Sequence, residues 1–390
     1  MHITLSISGH GHHPAAWRVS PLVDEPGGMP RYEALLRRAE AALLDGVLFL
    51  PPRGGPAALM SGGQDVLQFD TLPLIAAMIA HTGRLGLGAT VYMAHTQPFH
   101  TARAFAVLDN LSAGRTAWIV DLEGEDQQEA DFGHVLPSLS SAERYDRARE
   151  YIDVAMKLWD SWEDDAVIAD KAAGMFALSE KIHPIHHVGT YFSVRGPLTA
   201  VRPIQGHPVV IMRDASDAGL ALAAASADVF LADCGDPAQA KAFAARLRGM
   251  VAKAGRSPDA LRILVNVAPI LGDSDAEAKA RGNRLDAMAP TTGDPVWRFV
   301  GTAAAFAAAL SNWRAAAGID GVNILPAVLA EDGERLIADV MPILRQQGLA
   351  RTSYAGSTLR AHLNLAKPAS RFAEQAAAVL LEHQGAGDSR

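Results

Sequence analysis

The chain has 390 residues, 49% of them hydrophobic and 20% charged, the balance of an ordinary globular protein. At this length roughly three quarters of the unfolded surface is buried on folding, so a core needs no staples. A net charge of −8 disfavours nucleic acid and anionic membranes as partners, and the single Cys234 excludes an internal disulfide framework and fits a reducing cytoplasm.

The opening MHITLSISGHGHHP holds a first strand, His2–Ser8, and a histidine-bearing glycine loop. It lacks the basic flank of a signal peptide, and no stretch approaches the roughly 18 apolar residues of a membrane span. A helix over Tyr32–Leu44 leads to a strand at Gly46–Pro51. Leu85–Tyr92 is the third strand, Thr101–Leu111 the next helix, and Arg115–Leu122 a fourth strand that runs into the acids of IVDLEGED. A long helix over Ala142–Trp162 follows.

Residues 163–207 then break the rhythm, with frequent glycine and proline and little periodicity, as expected of an inserted functional lobe. Strands resume at Pro208–Arg213, Asp228–Asp233, Leu261–Leu271 and Gly321–Pro326, between helices over Pro237–Ala254, Ala303–Ala317 and Glu334–Gln347. Asp273–Pro295 reads as a second insertion. Beyond a barrel domain spanning 1–368, a tail over 369–390 spaces Phe372, Ala376, Val379 and Leu380 as one face of a helix.

Eight strands separated by helices call for parallel pairing, and eight such units suit a closed (β/α)₈ TIM-like barrel with insertions. Chemistry in such barrels sits at the C-terminal strand ends. Here those are Ser8–His13, Pro51–Arg53, Thr90–Met93, Asp121–Glu125, Met212–Ser216, Asp233–Cys234 and Pro326.

Two histidine groups, His10, His12 and His13 and then His183, His186 and His187, lack metal-ligand spacing and read as locally bonded loop residues. His12 still belongs to the barrel mouth and is a candidate substrate contact, with Tyr92 and Asp121. RDASDAG (213–219) ends a strand and opens a helix, so Ser216 serves equally as an N-cap or as the start of an anion site. Arg213 adds positive charge there and Asp214 opposes it. His100 and Arg103 fit a capped helix with one buried arginine ion pair; Arg144, Tyr145 and Arg147 fit a solvated helix start. No Ser-His-Asp set, Walker loop or GxGxxG appears, and no catalytic residue stands out.

The ordered segments RLGLGATVYMAHTQPFHTARAFAVLDNLSAGRTAW (84–118), RYDRAREYIDVAMKLWDSWEDDA (144–166), HVGTYFSVRGPLTAVRPIQGHPVV (187–210), ASDAG (215–219), DGVNILPA (320–327) and VMPILRQQGLARTSYAGSTLRAHLNL (340–365) resemble the bacterial luciferase-like monooxygenases. The likeness is to the branch of nitrilotriacetate and dibenzothiophene-sulfone monooxygenases. It implies reduced FMN supplied by a separate flavin reductase, O₂ as co-substrate and a flavin C4a-peroxide that oxygenates a small organic molecule. It also implies a dimer or tetramer, and a lid formed by the 163–207 insertion.

Carried over by position, the resemblance assigns Thr90 to the flavin ring, and Arg144, Tyr145, Ser216 and Gly219 to the cofactor. Several other positions depart from the family pattern. Pro51-Pro52 replace an Asp, Tyr92-Met93 a Ser-Thr pair, Ile119 a ring-bonding Asn, Ser141 a His, and Asp214 the glycine of the phosphate loop. Each unpaired polar edge left on a buried flavin costs about 1–3 kcal/mol. Three readings follow: a monooxygenase that holds flavin weakly or in an altered pose; a partner subunit that has lost flavin, in a heterodimer with an active paralogue; and a barrel recruited to other chemistry.

Overall fold

The computed structural model describes residues 1–22, 29–50, 69–93, 96–122, 139–291 and 295–372. Eight parallel strands close on themselves: β1 His2–Ile7, β2 Gly46–Phe49, β3 Gly86–Tyr92, β4 Thr116–Asp121, β5 Val209–Met212, β6 Val229–Ala232, β7 Arg262–Leu271 and β8 Gly321–Ile324. Each pairs with the next in sequence, and β8 returns to β1 with Gly321 opposite His2. All eight predicted strands are present, each within a residue or two of its expected bounds. Parallel strands buried on both faces carry near-continuous apolar runs, which makes them legible.

Alternate residues divide between two cores. Leu48, Ile119, Ile211, Leu231, Leu264 and Leu325 fill the barrel. Ile3, Val47, Leu87, Trp118, Val210 and Phe230 pack outward against the helices. Those helices include α1 Met29–Ala41, α2 Thr71–Met78, α3 Pro98–Leu111, α4 Ser141–Trp159, α5 Asp217–Ser226, α6 Pro237–Lys253, α7 Asp275–Met288 and α8 Ala303–Ala317. Part of the barrel lining is polar and satisfied. Thr4 Oγ1 and Ser6 Oγ donate to Asn323 Oδ1 (2.8 and 3.0 Å), Asn323 Nδ2 to Asn266 Oδ1 (2.7 Å), and Asn266 Nδ2 to Asp233 Oδ1 at the mouth (2.7 Å).

The floor is closed by the YAGSTLR segment. Leu359, Leu363 and Leu365 join the interior core, and a side chain on Gly86 would lie 2.5 Å from Leu359 Cδ1. Arg360 holds the plug in place, making a two-pronged ion pair with Asp228 (3.0 and 2.7 Å) and donating to His207 O (2.8 Å).

Three regions gain detail. The stretch 273–295, read as a second insertion, contains the fourteen-residue helix α7, capped by Ser274; it is followed by strand Trp297–Gly301, which pairs with the far half of β7. The predicted Glu334–Gln347 helix is present without a break, wound as a π-helix over Leu336–Val340 and as an α-helix over Met341–Gln346, with Pro342 in the latter's first turn. Residues 163–207 form two small antiparallel pairs, Val167–Asp170 with Met175–Ala177 and His187–Val188 with Ser193–Val194.

Among the described residues the lobe packs along α4, and Phe192 lies on Arg147, whose guanidinium bonds Met93 O at the end of β3. Glu150 accepts from the amides of Tyr191 and Phe192, Trp162 Nε1 donates to Leu198 O, and Gln205 bonds Asp109 and Thr116 O near the floor. Arg202 is 6% exposed and pairs with Asp160 and Asp164. Of the tail, residues 369–372 are described; the rest of its predicted helix lies outside the described residues. No helix among the described residues is long and apolar enough to cross a membrane.

Candidate active site

Strand direction delivers the predicted mouth residues to one end of the barrel, in two clusters and some separate positions. Thr90 and Tyr92 on β3 stand in register with Ile119 and Asp121 on β4. Thr90 Oγ1 donates to Phe49 O (2.8 Å), and its carbonyl accepts from Thr71 Oγ1 (2.6 Å), so the side chain ties β3 to β2. His12 reaches back over β1, its Nε2 3.2 Å from Ser6 O. Gly11 makes that turn possible: at φ +149° a side chain there would meet Ala327 O at 2.2 Å. Pro51–Arg53 and Glu123–Glu125 lie outside the described residues.

The first cluster is an ion pair. Asp121, 3% exposed, accepts from Arg213 Nη2 at 2.8 Å, joining the ends of β4 and β5. Arg213 was read as a positive contribution to an anion site; its guanidinium is instead engaged by this carboxylate. One residue back on the inward face, Ile119 is fully buried, and its Cδ1 would lie 3.2 Å from a methyl on Gly88. The hydrocarbon therefore fills barrel volume and offers no partner to a polar ring.

The second cluster gathers residues 69 and 71 positions apart. Tyr145, in the first turns of α4, and Ser216, N-cap of α5, place their oxygens 2.8 Å apart. Between them stands Asp214. Tyr145 OH donates to Asp214 Oδ2 in a short bond, Ser216 Oγ donates to Oδ2 (3.1 Å), and Ser216 N donates to Oδ1 (2.9 Å). Gly219 N in turn donates to Ser216 Oγ (3.0 Å). Partial burial, and then the bond to the carboxylate, raise the Tyr145 phenol above its usual range.

A helix N-terminus with free amide donors attracts anions. In this protein the anion is the loop's own carboxylate, which takes the hydroxyls and the amide that a ligand phosphate would need. FMN's terminal dianion would meet like charge with its donors already engaged, so the described residues do not fit it. Arg144, also assigned to the cofactor, is half-buried beside Tyr145.

The other candidates have structural partners. Arg103 is exposed, not in a buried ion pair, and N-cap Gln97 makes no side-chain cap; the buried charge of α3 is Asp109, bonded by Thr116 and Gln205. Arg147 is buried, not solvated: it donates to Met93 O (3.0 Å) and lies 5.1 Å from the Phe192 ring. His13 meets Asp286 (3.2 Å), His183 meets Glu163 (2.8 Å) and His187 meets Glu150 (3.1 Å). Burial pushes the Cys234 thiol up to about 11, which makes it a poor nucleophile. Sequence reasoning missed the Asn323–Asn266–Asp233 chain; polar residues at alternate positions within apolar strands were its only signal.

The model of the family described as luciferase-like monooxygenase matches residues 12–341. The N-acetyl-S-(2-succino)cysteine monooxygenase of Bacillus subtilis is 31% identical, over 94% of this chain and 97% of its own. Component A of the nitrilotriacetate monooxygenase of Aminobacter aminovorans is also 31% identical, over 93% and 96%. The crystal structure of DmoA from Hyphomicrobium sulfonivorans superposes with a TM-score of 0.84 at 26% identity, covering 93% of this chain and 91% of that one.

Proposed function

The chain belongs to the luciferase-like monooxygenase family, and from that premise we propose that it is a flavin-dependent monooxygenase acting on a small organic molecule at the barrel mouth. The observation that carries this reading is the closed barrel, which gathers Thr90, Tyr92, Ile119 and the Asp121–Arg213 pair at one mouth. Reduced flavin, when bound, supplies the electrons that activate oxygen. A separate reductase delivers it, and the designation of one relative as a component supports that division of labour.

Within this reading the chain's own residues bind, orient and exclude water. Thr90 and Tyr92 form one wall of the mouth, with Ile119 and the interior leucines beneath. His12 and the Asp121–Arg213 pair supply its polar border, and fixed charges there orient a polar substrate without rearranging. Asp214 holds the place that a flavin phosphate would take. The active form is a homodimer or homotetramer.

Titration with oxidised and chemically reduced riboflavin and FMN, read by flavin fluorescence, tests the proposal. Saturable binding of one of them is expected; absence of binding by both in both redox states would overturn it. A second reading, a partner subunit that no longer binds flavin, is motivated by Ile119, Ser141, Pro52 and Asp214. It predicts no turnover by the isolated chain with a flavin reductase, and a stable complex with an active paralogue on size exclusion.

A further inference from the structure

The filled cradle beside α5 has a consequence for ligand choice. Three donors, Tyr145 OH, Ser216 Oγ and Ser216 N, converge on one acidic group, and Asp214 presents two oxygens to them in the manner of a phosphate. The helix supplies the room. A side chain on Gly219 would lie 2.4 Å from both Cγ and Oδ2 of Asp214, so the missing Cβ leaves the space that the carboxylate occupies. The carboxylate also supplies the negative charge that a helix N-terminus favours. The neighbouring cation, Arg213, turns away to Asp121.

We propose that Asp214 is a built-in stand-in for a ligand phosphate, and that the site therefore selects a flavin without one, riboflavin being the simplest, over FMN. The selection works by exclusion. A neutral ribityl hydroxyl can approach the Asp214 carboxylate and donate to it, whereas a dianion is repelled and finds its donors engaged. This inference rests on the proposed use of flavin, and the test separates the two.

The full chain, Asp214→Gly and Asp214→Asn are titrated with riboflavin and with FMN, each oxidised and chemically reduced, by flavin fluorescence. Wild type is expected to bind riboflavin about ten-fold or more tightly than FMN, and Asp214→Gly to reverse that ratio by a similar factor. Asp214→Asn keeps the side chain's size, guards against a folding defect and is expected to shift the ratio in the same direction. Adding Ser216→Ala to Asp214→Gly is expected to remove the gain, locating it at this cradle.

Equal or tighter binding of FMN by wild type overturns the inference and leaves the flavin reading intact. Binding of neither flavin by wild type, with FMN gained by Asp214→Gly, overturns both the selection of riboflavin and the flavin reading, and leaves Asp214 only as a group that excludes phosphate. Binding by none of the proteins overturns both.

Discussion

At the scale of single residues, the strand ends replace ligand-facing polarity with internal pairing. Asp121 illustrates the change: an acid at a barrel strand end reads as a substrate contact in sequence, yet the carboxylate is buried against Arg213. Removing one partner of a buried ion pair leaves the other uncompensated, so Asp121→Ala is expected to lower unfolding stability by about 3–5 kcal/mol. The double variant Asp121→Ala/Arg213→Ala should lose less than the sum of the singles. Urea denaturation checks both, and additive losses would show that the pair is not coupled. Asp214 is the other instance. Its charge in the loop was legible in sequence; its three donors were not, because two of them belong to a loop neighbour and the third to a helix 69 residues away.

At the scale of elements, β4 joins intact scaffold to altered site. Trp118 packs outward against Phe105, Tyr151 and Trp159, while Ile119 faces the barrel axis. Restoring the family amide with Ile119→Asn would bury a polar group in an apolar layer and is expected to cost about 3 kcal/mol. A melt taken with and without riboflavin measures that loss and any recovery on binding. The strands were legible because each is a short apolar run bounded by turn residues. Helix α7 was not, because its buried face is Ala278, Gly282 and Leu285, too small and sparse to make a stripe. The path of the 163–207 lobe along α4 depends on single bonds such as those of Glu150, which carry no periodic signal.

At the scale of the whole molecule, buried histidines couple stability to acidity. Burial, the largest influence on each, holds His13 and His362 below their ordinary value of 6.5. The unfolded chain therefore takes up protons that the fold refuses once pH drops through that value, and stability falls as acid is added. Their contribution to the slope vanishes above it. Between about pH 7.5 and about pH 5.5 the melting temperature is expected to fall less in His13→Gln/His362→Gln than in wild type; equal slopes would exclude these two residues as the cause. The floor carries a second expectation. Arg360→Ala strands Asp228 beneath the barrel and should cost about 3–5 kcal/mol, measured by the same denaturation.

The ring closes late, and biosynthesis has to accommodate that. Thr4 waits for Asn323, 319 residues downstream, and the leucines that seal the floor come later still. A nascent chain ending at Asp320 presents β1 and β7 as bare edges, each able to recruit a strand from another chain. Fragments released at that point are expected to aggregate or be degraded. A chain extended through Leu365 should acquire protease resistance in one cooperative step, and pulse proteolysis of a truncation series would locate it.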